Sequence, residues 1–428
     1  MNLRSFEPYK YQLLFMRYVL IFILSAITIP ILWINIGLHQ EDDDRSEQKE
    51  DIRLQLHFLE TELKQHDLGE RMQQLFPEGY VFIHALYGLS WCELALADSV
   101  QDKQLKDKAI KEALYAFGQI HSEKGRSTFQ TDLIPENGIF YCAWRNYLLS
   151  KILQTDRKFN GHESYEMLFK QQTKEIIEAL KLRASPYLES YNGHAWPADM
   201  FVAMASVSNY DKLYNPGFES DIKSWLVQIK KKLDPKTHLI PHKVAPETGS
   251  IIEGARGCSI GLSLRLLKEI DPAFGKEQFD LARTHFITTQ FGLPAVREYP
   301  QGTFGIGDVD SGPVIFGVGF AATIVMIGTM SIYDHPTLAN RQYKTIHAFG
   351  FETKDSEEKK YLFGALPMAD AFIAWGRATD LHYSLNQPYV SSKNWRLTFH
   401  LISVLILLIV WMPIYWGKVR GWVKRRIS

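Results

Sequence analysis

The sequence has little cysteine and no excess of charge of either sign. Its 428 residues include three cysteines, and 48 lysines and arginines balance 48 aspartates and glutamates. Because the cysteine number is odd and Cys92, Cys142 and Cys258 each lie in a predicted helix, a disulfide framework is not indicated. Balanced charge argues against nucleic acid as a partner. The cysteines and histidines show no metal-ligand spacing, so neither a metal nor a cofactor is expected.

Long apolar runs, in contrast, occur near both ends of the chain. Residues 18–38 and 397–416 are each mostly apolar over about 20 residues, the length that crosses a bilayer as a helix. Basic residues precede the first run and follow the second, whereas residues 41–44 after the first run are acidic. By the positive-inside rule, both termini are expected in the cytoplasm and the intervening domain outside it, in the periplasm or at the cell surface.

A cleaved signal peptide is the alternative interpretation of the first run. It is disfavoured because the run is long and no small-residue cleavage site follows before the acidic stretch. The expected segments are therefore a cytoplasmic N-terminus (1–17), a transmembrane helix (18–38), a charged helical linker (39–66), the main domain (67–390), a second transmembrane helix (397–416) and a basic cytoplasmic tail (417–428). The charged segment is expected either to lift the main domain off the membrane or to start its outer ring of helices.

The region between the two apolar runs repeats a unit of two helices. In each unit a polar or Gly/Pro loop leads into an apolar helix rich in small residues, and an amphipathic helix with a charged face follows. Successive units lie about 57 residues apart. The loop-and-helix stretches are 77–97, 135–153, 192–207, 247–267, 305–330 and 365–378, and the amphipathic helices are 102–117, 162–182, 218–233, 276–290 and 337–348. The pattern predicts an all-α fold, an (α/α)6 barrel or toroid, with the loops before the inner helices around one pocket.

A glycine-rich loop at residues 305–313 contains two candidate catalytic carboxylates, Asp308 and Asp310. Pro313 suits the first turn of a helix, which we expect to begin there and continue through the apolar residues after it. A helix start is electropositive, so it stabilises a carboxylate and favours an anionic or hydroxyl-bearing ligand beside it.

Two other loops contribute candidate acids. Asp199 follows Pro197 by two residues and is expected in the first turn of the third inner helix. Glu253 lies three residues before Arg256 in otherwise small and apolar surroundings, so these two charges are expected to pair, or to line the barrel with Arg256 lowering the pKa of Glu253.

Aromatic and polar residues near the same loops are expected to contact a substrate. The alternative for each is ordinary packing, charge pairing or solvent exposure. The candidates are Tyr141, Trp144, His194, Trp196, Arg256 and Glu298. His84 on the first inner helix is expected to be a core histidine, and Asp370 and Arg377 are expected to be structural.

Several short segments, taken in order, resemble the linalool dehydratase/isomerase family. The resemblance covers most of residues 80–375 and implies an (α/α)6 barrel that acts on terpene alcohols by acid/base chemistry. The segments are residues 85–89, 225–226 with 234–235 downstream, 246–249, 271–274 and 308–312.

The reactive groups of that family do not transfer to this chain. Leu188 and Pro197 stand where the family has active-site cysteines, and Trp144 stands where it has a pocket histidine. The resemblance therefore implies a relative in fold with a different catalytic set, and linalool chemistry itself is not expected. Carboxylates remain at the equivalent loop positions.

The leading hypothesis is a membrane-anchored extracytoplasmic enzyme with lyase or isomerase chemistry on a small hydroxylated substrate, terpenoid-like or glycan. Asp308 or Asp310 would act as the base and Asp199 or Glu253 as the acid. One alternative is a glycoside hydrolase or polysaccharide lyase acting on envelope glycan, by fold analogy. The other is a non-catalytic, membrane-tethered binding or scaffold domain. The oligomeric state and the direction in which the pocket opens stay open at this point.

Overall fold

The computed structural model describes residues 7–40, 44–98, 102–215, 217–383 and 394–427. These residues are mostly helical, and we number the helices α1–α16 and the strands β1–β8 along the chain. Residues 1–6 of the predicted cytoplasmic segment, the acidic residues 41–43 and the predicted end of the main domain at residue 390 lie outside the described residues.

Six of the described helices form a closed inner ring. Each contacts the next one in the ring, and the last contacts the first. Almost every side chain of these helices is buried, as expected for helices that are apolar on all sides. The ring helices are α4 (Gly79–Leu96), α7 (Gly138–Thr155), α9 (Pro197–Tyr214), α11 (Gly257–Ile270), α13 (Phe320–Ile332) and α15 (Pro367–Tyr383). Ring closure makes the fold barrel-like and excludes an open helical array.

A second set of helices packs around the ring, each with one buried and one charged face. In α5, for example, Leu105, Ala109, Ala113 and Ala116 recur on the buried side at helical spacing. The outer helices are α2 (Arg45–Gln65), α5 (Lys103–His121), α8 (His162–Lys181), α10 (Glu219–Lys230), α12 (Pro272–His285) and α14 (Pro336–Phe349). Of the two roles expected for its residues, α2 has the second: it contacts α4 and α15 and occupies the sixth outer position.

The remaining short elements connect the outer helices to the inner ones. Two short helices, α3 (Leu68–Leu75) and α6 (Glu123–Arg126), and a 3₁₀ turn (Leu362–Gly364) lie in these connections. Four antiparallel hairpins complete the set: β1 (Lys243–Val244) with β2 (Ile251–Glu253), β3 (Ile287–Gln290) with β4 (Leu293–Val296), β5 (Val314–Ile315) with β6 (Val318–Gly319), and β7 (Thr353–Lys354) with β8 (Lys359–Lys360).

The fourth and fifth inner helices begin later than the sequence pattern predicted. The fourth starts at Gly257, because residues 251–253 pair with β1 as a strand. The fifth starts at Phe320, because the apolar residues after Pro313 form the β5–β6 hairpin. The expectation that Pro313 occupies a helical first turn is therefore wrong. A short apolar run rich in Val and Ile fits a strand as well as a buried helix, so periodicity alone does not separate the two.

All six ring helices begin at the same end of the barrel, which we call the loop face. Backbone hydrogen bonds join successive connections there: the amide of Ile139 donates to Glu189, that of Val244 to Ala195 and that of Gly257 to Glu298. The chain thus brings polar loop residues that are far apart in sequence to one rim.

The opposite end of the ring is closed by buried ion pairs, which we call the base cluster. Lys151 Nζ lies 2.9 Å from Glu269 Oε1 and 3.4 Å from Glu93 Oε1, and His382 Nδ1 lies 2.9 Å from Glu93 Oε2. Burial alone would raise the pKa of Glu93, but Lys151, His382 and Arg265 together hold that pKa below its usual range. The cluster ties together the last turns of α4, α11 and α15 through Lys151 of α7.

Two long apolar helices lie outside the barrel, α1 (Glu7–Gly37) and α16 (Leu397–Ile427). Among the described residues, their segments Leu14–Gly37 and Leu397–Tyr415 are long and apolar enough to cross a membrane, and few of their side chains are buried. The helices run antiparallel and contact each other. Asn35 Nδ2 donates to Ser403 Oγ at 2.9 Å, and Trp411 Nε1 donates to Thr28 Oγ1 at 2.9 Å. The polar residues that interrupt the apolar runs thus form interhelical hydrogen bonds.

Replacing Lys151 with methionine should strongly destabilise the protein. The substitution leaves Glu93 and Glu269 buried without their lysine, which typically costs about 3–5 kcal/mol. Lys174→Met, which removes a solvent-exposed pair with Glu178, should cost less than about 1 kcal/mol. Thermal unfolding of the two full-length variants measures the difference, and equal shifts would contradict a structural role for the base cluster.

Candidate active site

One arginine, Arg256, organises the acids of the loop face. It directly precedes α11 and its side chain is almost completely buried. Its Nε donates to Glu298 Oε1 at 2.8 Å, while Nη1 and Nη2 donate to the two oxygens of Asp308 at 2.5 and 2.8 Å. The sequence predicted a pair with Glu253 three residues earlier. That carboxylate lies further away, at 3.5 Å, and is largely exposed on β2.

The glycine-rich loop is folded around Asp308. Its Oδ1 accepts hydrogen bonds from the backbone amides of Asp310 and Ser311, at 3.1 and 3.2 Å. The hydrogen bonds and the positive charge of Arg256 hold the pKa of Asp308 far below its usual range. Asp308 is therefore a fixed anion and anchors the loop, a role that differs from the proton transfer expected of it.

Asp199 and Asp310 differ from Asp308 because neither forms an ion pair with a lysine or arginine in the described part of the chain. Asp199 lies in the first turn of α9, as predicted, and is buried, with Oδ2 accepting from Ser190 Oγ at 2.5 Å. Burial and the nearby charges of Glu78 and Asp310 raise the pKa of Asp199 to about 7. Burial and the charges of Asp308 and Glu78 raise the pKa of Asp310 to about 6.

A neutral histidine, His242, completes the group around Arg256. Arg256 Nη1 donates to its Nε2 at 3.3 Å, so the ring proton lies on Nδ1, which donates to Ser259 Oγ. Burial and the positive charge of Arg256 lower the pKa of His242 to about 3. Asp310 Oδ2 lies 3.9 Å from His242 Nε2. Because His242 is uncharged, it does not neutralise the carboxylate of Asp310.

Glu298 is fully buried at the loop face. Besides the bond from Arg256, it accepts hydrogen bonds from the backbone amide of Cys258 at 3.3 Å and from Cys258 Sγ at 3.1 Å. Burial raises the pKa of Glu298 even though Arg256 and Cys258 oppose that shift. Burial and the carboxylate also raise the pKa of the Cys258 thiol. Glu298 is therefore a fully buried partner that holds Arg256 in place.

The other predicted contact residues lie in two different places. His194 is exposed and Trp196 half-buried at the loop face, with their rings 5.9 Å apart and Lys243 Nζ 4.9 Å above the Trp196 ring. Tyr141 and Trp144 are fully buried. The phenol of Tyr141 donates to the carbonyl of Ile120 at 3.2 Å, and the Trp144 ring packs against aromatic side chains of α4 and α15. The structure thus places these two in the core, not at the mouth where they were expected.

Sequence reasoning missed Glu78, Tyr191 and His242. Glu78 directly precedes α4, and its charge raises the pKa of Tyr191, Asp199 and Asp310, so it faces the same space. Tyr191 lies in the same connection as Asp199, and its pKa is raised mainly by burial. Glu78 directly precedes an inner helix, and the other candidate acids were chosen from the loops before inner helices. That position is the sequence signal that could have identified Glu78.

A separate groove of about 300 Å³ lies on the outer surface between α2 and α5. It is lined by Arg53, His57, Trp91 and Lys108, among others. Lys108 pairs with Glu60 at 2.9 Å and with Glu112 at 3.1 Å, so this lysine is neutralised by acids of α2 and α5. The groove contains none of the acids of the loop face.

The loop face combines two acids with raised pKa values, Asp199 and Asp310, with the ion pair of Arg256 and Asp308. Within the described ranges, no group of three or more His, Cys, Asp or Glu side chains is arranged to hold a metal ion. Near neutral pH, Asp310 is mostly ionised and Asp199 is about half protonated, judged from pKa values of about 6 and 7. The arrangement can therefore accept a proton at one carboxyl group and donate one from the other.

Comparisons with known proteins give a limited result. No protein-family model and no curated protein matches the chain. Among solved structures, the crystal structure of a D-mannose isomerase is similar, at 13% sequence identity and a TM-score of 0.44, with 71% of this chain and 87% of that chain covered. At that score the likeness carries no argument about activity, substrate or residue roles, and the barrel-like fold rests on the helix contacts. The resemblance to the linalool dehydratase/isomerase family stays a prediction.

Asp199 should make the protein less stable as the pH rises. The folded protein holds this proton up to about pH 7, whereas the unfolded chain releases it near 3.8. Its contribution to stability is thus full below pH 3.8 and is lost as the pH rises through 7, by roughly 2–4 kcal/mol. Asp199→Asn keeps an acceptor for Ser190 and should remove this slope in unfolding experiments between pH 4 and 8. The exposed control Asp132→Asn should keep it, and a wild-type slope in Asp199→Asn would contradict the assignment.

Proposed function

We propose that the chain is a membrane-anchored enzyme whose loop face performs general acid/base catalysis, of lyase or isomerase type, on a hydroxylated substrate. The observation that carries the proposal is the difference in pKa among three acids of the loop face. Asp308 is held as an anion by Arg256, while Asp199 and Asp310 have pKa values raised toward neutrality. Active sites commonly contain carboxyl groups whose environments separate their pKa values in this way.

The roles follow from the two pKa values. Asp310 loses its proton first, at about pH 6, and its side chain is partly exposed, so it is the base. Asp199 keeps its proton until about pH 7 and is buried behind it, so it is the acid that protonates a leaving oxygen. Arg256 is a positioning residue, because its hydrogen bonds fix the loop that contains Asp310.

The membrane anchor is part of the proposal. Its support is the length and exposure of the apolar segments of α1 and α16 and the hydrogen bonds between these helices. Basic residues before the first segment and after the second favour cytoplasmic termini, which leaves the barrel outside the cytoplasm.

Two alternative functions make different predictions. A glycoside hydrolase would also use two carboxyl groups, one as acid and the other as base or nucleophile. A non-catalytic scaffold is disfavoured because it predicts that every acid of the rim is paired with a cation, whereas Asp199 and Asp310 have no lysine or arginine partner among the described residues.

Solvent deuterium incorporation separates these functions. Full-length protein in lipid nanodiscs would be incubated in D₂O with aldoses, ketoses, prenyl alcohols and oligosaccharides, and the products analysed by mass spectrometry. Removal of a carbon-bound proton leads to deuterated or dehydrated product, whereas hydrolysis yields new reducing ends without deuterium on carbon. Hydrolysis alone would move the assignment to the glycosidase, and no reaction with any class would favour the scaffold.

Substitution of either titrating acid should abolish most of the activity so found. Asp310→Asn and Asp199→Asn should each lower kcat by about 100-fold or more, since each removes one proton-transfer group. Asp132→Asn, at an exposed site of the same face, should stay within about twofold of wild type. Near-normal kcat in both site variants would contradict the assigned roles.

The pH profile of kcat/KM should be bell-shaped with its maximum between about 6 and 7. The rate rises as Asp310 ionises near pH 6 and falls as Asp199 ionises near pH 7. A profile that is flat from pH 5 to 8 would show that neither ionisation controls the reaction.

A further inference from the structure

The connection between α12 and α13 exposes a set of large apolar side chains beside the candidate site. Phe304 and Ile306 are 87% and 92% exposed, and Val309, Ile315 and Phe316 are also largely exposed. Between residues 302 and 316 the only charged side chains are Asp308, which is bound by Arg256, and Asp310. Exposed apolar patches of this kind mark an interaction surface. We call residues 304–316 the apolar rim.

Two hairpin turns place phenylalanines where polar residues are usual. The β3–β4 and β5–β6 turns consist of Phe291-Gly292 and Phe316-Gly317, and φ is positive at all four residues. Such two-residue turns favour asparagine or aspartate before the glycine, because a bulky residue at positive φ is strained. Both phenylalanines are exposed, and their rings meet edge to face with centroids 5.3 Å apart. The backbone is thus strained at both positions, and both aromatic rings are exposed to solvent.

The same end of the barrel adjoins the two apolar helices. Gly292 of the β3–β4 turn lies against Thr398 at the start of α16, and Gly37 at the end of α1 lies against Ala348 near the end of α14. Leu38, Leu293 and Ala348 are buried together. Since β3–β4 and the end of α14 precede inner helices, they belong to the loop face. Both apolar helices therefore leave the barrel at this face.

An aromatic belt marks the level at which they leave. Trp33 of α1 stacks near Phe351 with ring centroids 6.3 Å apart, and Phe349 packs against Phe399 of α16 at 5.8 Å. Aromatic side chains are enriched at the membrane–water interface. Phe291 lies next to Gly292, which contacts α16 at Thr398, and its ring contacts Phe316 of the apolar rim.

We propose that the apolar rim inserts into the surface of the bilayer that α1 and α16 span, so that the candidate site opens toward the membrane. This inference rests on the membrane anchor of the proposed function. Asp310 lies within the rim itself, between Val309 and Ile315. The substrate class that fits is an amphiphile whose hydroxylated head reaches Asp310 and Asp199 while its apolar part stays in the bilayer.

Depth-dependent quenching tests the proposal on the full-length protein. Single cysteines at Ile306→Cys and Phe316→Cys would be labelled with an environment-sensitive fluorophore and the protein reconstituted in phosphatidylethanolamine–phosphatidylglycerol liposomes, with and without doxyl-labelled lipid. The matched control is Lys158→Cys, an exposed residue at the base of the barrel. Ile29→Cys, exposed within the apolar segment of α1 and eight residues before its end, reports whether that helix is inserted. Labelled wild type sets the background, since its cysteines are buried or half-buried.

The labels at residues 306 and 316 should be blue-shifted and quenched by doxyl groups near the headgroups, while the label at residue 158 stays aqueous and unquenched. If both rim labels behave like the one at residue 158 while the one at residue 29 is quenched, the rim does not insert and this inference fails, although the anchor stands. If the label at residue 29 is unquenched as well, the anchor in the proposed function fails together with it.

Discussion

The loop face depends on one buried positive charge, the guanidinium of Arg256. A buried arginine is stable only when anions and hydrogen-bond acceptors surround it, and Asp308 and Glu298 meet that need from two different parts of the α12–α13 connection. Burial, together with the same charge, keeps His242 neutral. Among the described residues, neither Asp199 nor Asp310 forms an ion pair with a lysine or arginine. Burial and the charges of neighbouring carboxylates raise the pKa values of both acids.

Acids are paired with cations at one end of the barrel, whereas in the described part of the chain two acids at the other end lack such partners. In the base cluster, Lys151, His382 and Arg265 surround Glu93, and acids and cations balance. At the loop face, Asp199 and Asp310 have no lysine or arginine partner among the described residues, and burial raises their pKa values to about 7 and about 6. A balanced cluster stabilises the ring, whereas an unbalanced one is suited to moving protons. The membrane-spanning helices, as proposed, leave from the unbalanced end.

Much of the helical architecture was predictable because the repeated unit is long and its inner helices are apolar on every side. The pattern failed where apolar runs were short: residues 251–253 and 314–319 form strands, so the helices after them begin late. Asp199 was placed correctly by Pro197. The pairing of Arg256 with Asp308 and the position of His242 were not predictable. They result from contacts between loops that are distant in sequence, which local periodicity does not encode.

The central claim is that Asp308 is fixed as an anion while Asp199 and Asp310 titrate near neutrality. Infrared spectroscopy of the full-length protein in D₂O measures this directly, by following protonated carboxyl bands from pH 4 to 9 in wild type, Asp199→Asn and Asp310→Asn. The account predicts bands from Asp199 and Asp310 that disappear with midpoints of about 7 and about 6, each missing from the corresponding variant. The band of Asp370, whose pKa burial also raises to about 7, is expected in all three proteins. If no protonated carboxyl band above pH 5 is lost in either variant, the two acids are ordinary carboxylates and the account is contradicted.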